Sequence, residues 1–392
     1  MTDCRVSAAR AAIVVRGRLE APQSAPHHGR YPHHVIVDEP IRGSFAYLEQ
    51  PGLFGMSGVD QLRLFIDRRL PAPPLTHLSG LVVEEAAAGT STWSIPASPW
   101  WQTAAGVFAG GTLGFVADAA LAGAVFTTLP RSMALLSSDL SINFLEPASP
   151  SSERLTATGT VIHVGRRQGL SEARVEDARG ALLAHATSRC VLQPLPFEPP
   201  EPPEAFPLVR PPRFDTPDPY LRPVEGEVVP QAVWDETSGL DLVQLWHKGE
   251  RPLSPNCSLL GLRFIDVSEG GVTLAMPASL WFCTGFGTFY GGALVALADT
   301  AINSAVTTTL PPGTSFGTLD LKVNFLRPVT PDGRELVARA TVEQRGRTIA
   351  VTTCRLDDAD GKRVAMATGT AMISPDRPWP AIGSETEAGR SS

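Results

Sequence analysis

Hydrophobic and polar residues along the chain alternate between the spacing of helices and the spacing of strands. Apolar residues recur at helical spacing from Leu62 to Ile66 and predict a short amphipathic helix. The stretches HLSGLVVEEA and STWSIP then predict strands, and GGTLGFVADAALAGAVFTTL predicts a long helix that is apolar all round and therefore buried. Alternating segments such as DLSINFLEP follow and predict an antiparallel sheet. A buried helix covered by such a sheet is an α+β architecture.

The same pattern occurs twice in the chain, as an internal repeat. A shift of 181 residues aligns residues 57–193 with residues 238–374 without a gap, and about a third of the positions are identical. IPASPWWQTAAGVFAGG, for example, falls on MPASLWFCTGFGTFYGG. A repeat of 137 residues is too long for a solenoid and predicts two homologous domains that form a pseudo-symmetric dimer within one chain.

The remaining segments predict the domain organisation. Residues 194–237 form a linker, and the 13 prolines between Pro194 and Pro230 favour an extended, semi-rigid strap. The N-terminal extension of residues 1–56 and the tail of residues 375–392 lack periodicity, so we expect both to be peripheral or largely disordered.

Composition excludes several classes of protein. A net charge of −7 over 392 residues does not favour binding to nucleic acid or to an anionic membrane surface. The sequence contains no run of 18 apolar residues, so it predicts no membrane-spanning helix. Five cysteines without a C-x-x-C motif indicate reduced thiols and a cytoplasmic location. We interpret the histidines near the N-terminus as solvated side chains and expect no metal site. These histidines are His27, His28, His33 and His34.

Each predicted central helix contains one ionisable side chain. It is Asp118 in the first repeat and Asp299 in the second. A lone buried carboxylate costs several kcal/mol unless it is neutral or hydrogen-bonded. A bond to a nearby hydroxyl or backbone group would make the residue structural. Because both repeats retain the Asp while its neighbours differ, we favour a functional role.

Helix geometry indicates what each carboxylate faces. Asp118 lies two turns after Gly111, about 10 Å away, and cannot serve the N-terminus of its own helix. If the two central helices pack antiparallel, each Asp faces the Gly-Gly pair of the other repeat. Free N–H groups and the positive end of the helix dipole meet there, and glycine lets a carbonyl oxygen approach. A carbonyl polarised by N–H donors beside a carboxylate suits ester or thioester hydrolysis.

At these residues the chain resembles the hotdog-fold acyl-CoA thioesterases of the PaaI-like and 4-hydroxybenzoyl-CoA type. The resemblance rests on the Gly-Gly pair, the Asp eight residues after the first glycine, and the Asp-x-x-x-Asn-Phe-Leu-x-Pro strand, in both repeats. It implies two hotdog domains in tandem, an acyl-CoA substrate and no cofactor beyond the CoA of that substrate.

The resemblance also implies roles for individual positions. Asp118 and Asp299 would be the nucleophile or the general base. One site would combine Gly110, Asp299 and Thr318, and the other Gly291, Asp118 and Ser137, with the glycine N–H polarising the thioester carbonyl. The positions implied in substrate binding are Gly111, Gly292, Thr103, Thr284, Tyr290, Arg166 and Arg347.

Two departures from the family pattern bear on activity. The family usually has His before the Gly-Gly pair, where this chain has Ala109 and Tyr290. It commonly has an amide seven residues before the first glycine, where this chain has Thr103 and Thr284. A threonine replaces only part of what an amide does in placing water, so we expect reduced activity at both sites. We expect the weaker activity at the site that uses Gly110, because the first repeat matches the family pattern less well. The phenol of Tyr290 either donates to a substrate or packs as a ring.

Two functions remain open on the sequence alone. The first is an acyl-CoA thioesterase that releases a carboxylic acid and CoA. The second is a non-catalytic acyl-CoA or acyl-carrier binding protein, in which both aspartates are structural. A hotdog dehydratase needs a His working with a carboxylate, and neither central helix contains one. The tandem units could also assemble into a further homo-oligomer.

Overall fold

The computed structural model describes residues 36–375 and Trp379. The first repeat and the segment before it contain α1 (Ala46–Glu49), α2 (Gly58–Ile66), α3 (Pro74–Ser79), β1 (Val82–Ala87), β2 (Thr90–Pro96), α4 (Gly110–Phe126), β3 (Met133–Phe144), β4 (Arg154–Val164), β5 (Gln168–Glu176) and β6 (Leu182–Pro194). The second contains α5 (Gln231–Glu236), α6 (Gly239–Lys248), α7 (Pro255–Leu260), β7 (Arg263–Ser268), β8 (Gly271–Pro277), α8 (Gly291–Thr307), β9 (Ser315–Phe325), β10 (Glu335–Arg345), β11 (Ile349–Asp357) and β12 (Arg363–Ser374). Short 3₁₀ turns lie at Ile36–Asp38, Pro51–Gly55, Pro99–Trp101, Pro150–Ser152, Pro219–Leu221 and Leu280–Phe282.

The strands of the described residues form one continuous antiparallel sheet of twelve. Its order is β1-β2-β4-β5-β6-β3-β9-β12-β11-β10-β8-β7, so each repeat supplies six neighbouring strands. The halves join at β3 and β9, where Leu140 pairs with Val323 and Ile142 with Leu321. All four side chains are buried on the inner face. The α+β class, the double hotdog architecture and the pseudo-dimer predicted from the repeat are confirmed.

The two central helices, α4 and α8, lie against each other beneath this sheet. A Cβ at Gly111 would come within 2.7 Å of the Ala296 Cα, and one at Gly114 within 2.5 Å of a Val295 methyl group. Gly292 lies against Phe115 in the same way. Along α4 the partner positions on α8 decrease in number, so the helices run antiparallel, as expected. Their close approach depends on the absence of side chains at these glycines.

One predicted strand begins as a helix. The stretch HLSG belongs to the end of α3, which starts at Pro74 and ends where Gly80 adopts a left-handed conformation with φ of 75°. Proline at the first helical position and glycine just past the last are ordinary helix boundaries. Strand β1 then starts at Val82.

The segment before each repeat crosses to the other repeat. We call residues 36–50 the first arm and residues 219–230 the second arm. In the first arm the carbonyl of Val37 accepts from Ser279 Oγ at 3.0 Å, and the Tyr47 N–H donates to Gly285 O at 3.2 Å. Equivalent bonds of the second arm reach the first repeat, where Ser98 Oγ donates to Tyr220 O at 2.9 Å.

The two arms also contact each other. Arg222 of the second arm forms a two-pronged ion pair with Glu39 of the first. Arg42 of the first arm bonds to Asp218, the residue just before the second arm, at 3.0 Å. Residues 36–56 are therefore ordered, and the expectation of a peripheral or disordered extension is wrong for that part. Residues 1–35, which include the four histidines named above, lie outside the described residues, as does most of the tail.

Substituting Gly58 tests the packing of α2 on α4. A Cβ at Gly58 would overlap the carbonyl oxygen of Phe126, whereas one at Gly317 would enter open space. We expect Gly58→Ala to lower the free energy of unfolding by about 1–3 kcal/mol, because an overpacked backbone contact must shift. Gly317→Ala is the matched control and should change stability little. Thermal unfolding of both variants measures this, and an equal effect of the two would contradict the described packing.

Candidate active site

The site is built around the first turns of α4 and α8, which lack a side-chain cap. The N-cap residues are Ala109 and Tyr290, and neither side chain bonds to the amides of the helix that follows. The first N–H groups of a helix have no partner within it. A Cβ at Gly110 would lie 2.6 Å from the ring of Phe144, so a side chain at this position would require the ring to move.

Asp299 of α8 binds the start of α4. The Gly111 N–H donates to Asp299 Oδ2 at 2.8 Å, and the side chain is fully buried. Asp299 Oδ1 is also buried and has no hydrogen-bond partner. Burial raises the pKa of Asp299 to about 6, against the opposing effects of the Gly111 N–H and the Asn303 side chain.

Asp118 of α4 makes the reciprocal contact with the start of α8. It accepts a hydrogen bond from the backbone of Gly292, and its Oδ2 lies 2.9 Å from where a Cβ on Gly291 would be. Its Oδ1 is likewise buried without a partner. Burial raises the pKa of Asp118 to about 7, and the bond from Gly292 opposes this shift only partly. Each carboxylate thus faces the Gly-Gly pair of the other repeat, as expected.

The two predicted hydroxyls lie in different surroundings. Thr318 Oγ1 donates to Asn303 Oδ1 at 2.9 Å, so it reaches Asp299 through an amide. Ser137 pairs with Cys190 across β3 and β6, and its hydroxyl bonds to the Cys190 thiol. Thr318 and Ser137 therefore share a position in the repeat but have different polar partners.

The other predicted residues lie around these contacts. The hydroxyls of Thr103 and Thr284 bond within their own loops, to Val107 O at 2.9 Å and to Thr288 Oγ1 at 3.0 Å. Tyr290 is buried, and its hydroxyl donates to the backbone carbonyl of Phe115, which favours the packing interpretation of its ring. The guanidinium groups of Arg166 and Arg347 are on exposed residues, in the β4–β5 and β10–β11 turns respectively. Their binding roles stay predictions.

Sequence reasoning missed Asn303 and Cys190. Asn303 follows Asp299 by one helical turn and shares its face, a spacing visible in the sequence. The comparison of the repeats hid it, because the first repeat has Ala122 at that position. Cys190 corresponds to Ala371 and was hidden in the same way.

Both carboxylates are closed to solvent, Asp118 with 3% and Asp299 with 0% of its surface exposed. Two surface clefts, one around Tyr220 and the other around Arg334, are lined by other residues. A substrate must therefore displace side chains that cover the helix starts, of which the Phe144 ring over Gly110 is one.

No helix among residues 36–375 is long and apolar enough to cross a membrane.

Comparison with known proteins identifies the family. The sequence model of the thioesterase superfamily matches residues 105–184 and again residues 286–365, one match per repeat. A protein named "Putative esterase" from Haemophilus influenzae is 35% identical over 94 residues, which are 24% of this chain and 67% of that protein. The chain belongs to the thioesterase superfamily and is a thioester hydrolase.

Two solved structures that are similar to this chain match it over different lengths. The acyl-CoA thioesterase II of Mycobacterium marinum aligns over 77% of this chain and 97% of its own, with 12% identity and a TM-score of 0.45. The PaaI protein of Escherichia coli, from the phenylacetic acid degradation operon, is 28% identical and aligns over 30% of this chain and 81% of its own, with a TM-score of 0.28.

The raised pKa of Asp118 predicts a pH-dependent change in stability on substitution. Between the ordinary pKa of 3.8 and about 7, the folded protein holds this proton more tightly than the unfolded chain does. The free energy of unfolding therefore falls as pH rises through that window. Asp118→Asn removes this dependence on pH. We therefore expect the free energy of unfolding of the variant, measured relative to that of the parent, to be higher at pH 8 than at pH 4 by a few kcal/mol, since each unit of pKa corresponds to about 1.4 kcal/mol.

Melting temperatures of the parent and Asp118→Asn at both pH values measure this effect. Asp266→Asn is the control, since Asp266 is exposed on β7. A difference between parent and Asp118→Asn that is the same at pH 4 and pH 8 would contradict the buried, proton-retaining carboxyl.

Proposed function

We propose that this chain hydrolyses acyl-CoA thioesters to the carboxylic acid and CoA, at sites that combine residues of both repeats. The observation that carries the proposal is the bond from the Gly111 N–H to Asp299 Oδ2, with its counterpart from Gly292 to Asp118. This contact puts a carboxylate at the point where a helix start presents amide donors. A thioester carbonyl and a nucleophile need both groups at one place.

The amides at the helix start serve the carbonyl oxygen. The Gly111 N–H is already engaged by Asp299, whereas the Gly110 N–H precedes it and has no partner within the helix. In the proposed reaction the thioester oxygen accepts from Gly110, where the helix dipole also stabilises the negative charge of the tetrahedral intermediate. Glycine is needed because a side chain at this position would block the carbonyl.

The carboxylate serves the nucleophile. The unpartnered Oδ1 of Asp299 accepts a proton from water as the water oxygen attacks the carbonyl carbon. The tetrahedral intermediate then collapses, the C–S bond breaks, and the proton passes from the carboxyl group to the departing CoA thiolate. Direct attack by the carboxylate, through an anhydride that water opens, uses the same geometry. Either route needs only the substrate and water.

Replacing both carboxylates tests the proposed chemistry. Asp118→Asn/Asp299→Asn keeps the shape of each side chain and removes the base, so we expect hydrolysis to fall by about 100-fold or more. Release of free thiol from a panel of acyl-CoA thioesters of different chain length measures the rate. Asp266→Asn is the control and should retain parental activity, because this carboxylate is exposed on β7. Parental turnover in the double variant would contradict the proposal. A parent protein that binds acyl-CoA thioesters but hydrolyses none of them would also contradict it.

The pKa values of the two carboxyl groups predict the pH profile. A base works only when it is ionised, and burial raises the pKa of Asp299 to about 6 and that of Asp118 to about 7. We therefore expect kcat/KM to rise with pH and to level off above an apparent pKa between about 6 and 7. Initial rates between pH 4.5 and 8.5 measure this. A plateau that is already complete at pH 5 would contradict the role of these groups.

A further inference from the structure

The two carboxylates have the same position in the repeat but different neighbours. One turn after the carboxylate, the second repeat has Asn303 and the first has Ala122. Before the Gly-Gly pair that each carboxylate faces, Asp299 meets Ala109 and Asp118 meets Tyr290. Because a duplicated site begins with identical residues, these differences indicate that the two halves have diverged in function.

At Asp299 the neighbouring amide is held in one orientation. Asn303 Oδ1 accepts the hydroxyl of Thr318 at 2.9 Å, which leaves the NH₂ end of the amide for the carboxyl group beside it. Asp299 Oδ1 is buried without a hydrogen-bond partner and remains free for water. Asn303 itself is half-buried, whereas Asp299 is fully buried.

At Asp118 no such amide exists. Ala122 has no polar side-chain atom, and the nearby polar groups include the Cys190 thiol and the Tyr290 phenol, for both of which Asp118 raises the pKa. The Tyr290 ring packs on Gly292, and its hydroxyl bonds to the Phe115 carbonyl of α4. This ring therefore packs against the Gly-Gly pair of α8, at a position where the other site has only the methyl group of Ala109.

The loops before the glycines differ in the same sense. Phe286, in the loop before Gly291, stacks on Tyr47 of the first arm with ring centroids 3.8 Å apart and also meets the ring of Phe126. The corresponding residue before Gly110 is Ala105. The loop before Gly291 thus carries two aromatic side chains, Phe286 and Tyr290, at positions where the loop before Gly110 has alanines.

We propose that the two sites are not equivalent: turnover takes place at the site of Gly110 and Asp299, where Asn303 is a positioning residue for the carboxylate. The site of Gly291 and Asp118 keeps the interlocking contact as a structural element. This inference rests on the proposed thioesterase function. It reverses the expectation from sequence that the Gly110 site is the weaker, because the amide missing at Thr103 is replaced from the opposite helix.

Single carboxylate variants decide between one working site and two. Two equivalent sites would leave about half of the parental kcat in either single variant. We expect Asp299→Asn instead to fall to the level of the double variant, a loss of about 100-fold or more. Retention of about half of kcat in Asp299→Asn would overturn the inference while leaving the thioesterase function intact. A fall of Asp118→Asn to the level of the double variant would also overturn it, whereas parental activity in the double variant would refute the function itself.

Asn303→Ala tests the positioning role. Loss of the amide should lower kcat by about 10-fold with a smaller change in KM, since a hydrogen bond to a charged group is lost. It should also move the apparent pKa of the pH profile upward, because Asn303 lowers the pKa of Asp299. The other influences on this pKa are burial and the Gly111 N–H, and no charged side chain of the described chain is among them.

Ser304→Ala is the matched control for Asn303→Ala. It removes a polar group from the next residue of the same helix and should change neither kcat nor the pH profile. A purely structural role for Asn303 would lower the melting temperature and leave the apparent pKa of the remaining activity in place, and that result would overturn the assignment.

Discussion

Each half of this protein buries a carboxylate that it cannot satisfy by itself. The amides at the start of its own helix are about two turns away, and the nearest backbone donor belongs to the other half. Neither Ala109 nor Tyr290 caps the helix that follows it, and the opposing Asp accepts from the second residue of that helix instead. An N-cap side chain normally binds the amide at the second or third helical position. One oxygen of each carboxylate therefore caps the central helix of the other half, across the pseudo-dyad.

This reciprocal contact constrains much of the fold. The helices must run antiparallel and lie close, which small residues such as Gly111 and Gly114 permit. The sheet must continue from one half to the other through β3 and β9, so that both helices pack against the same sheet. The arms reinforce this arrangement, because the segment preceding each repeat binds the other and Glu39 meets Arg222 where the arms touch. One oxygen of each carboxylate remains unsatisfied at the centre. A buried, unpaired group is costly to keep, and we connect the one at Asp299 to chemistry.

Much of this architecture could be read from the repeat. The spacing of the residues and the apolar character of the two helices predict that both helices are buried and that the two halves pair. They also predict that Asp118 and Asp299 each face the glycines of the other repeat. The arms could not be found in this way, because Val37 and Tyr220 are related by 183 residues rather than by 181 and share little sequence. Comparing the repeats also emphasised what they share. Asn303 differs from its counterpart and was overlooked, although the difference between the sites depends on it. The Tyr290 hydroxyl donates a hydrogen bond to a backbone carbonyl of the opposite helix. This contact depends on packing, which residue spacing alone does not predict.

The most direct measurement is a crystal structure with an acyl-CoA analogue in which a ketone replaces the thioester. The account predicts the ketone oxygen within about 3.2 Å of the Gly110 N–H, a normal hydrogen-bond distance, with the Asp299 carboxylate facing the carbonyl carbon and the Phe144 ring displaced. An analogue bound with its carbonyl away from both Gly-Gly pairs, while Asp118 and Asp299 keep their present contacts unchanged, would show that the interlocked carboxylates only hold the two halves together.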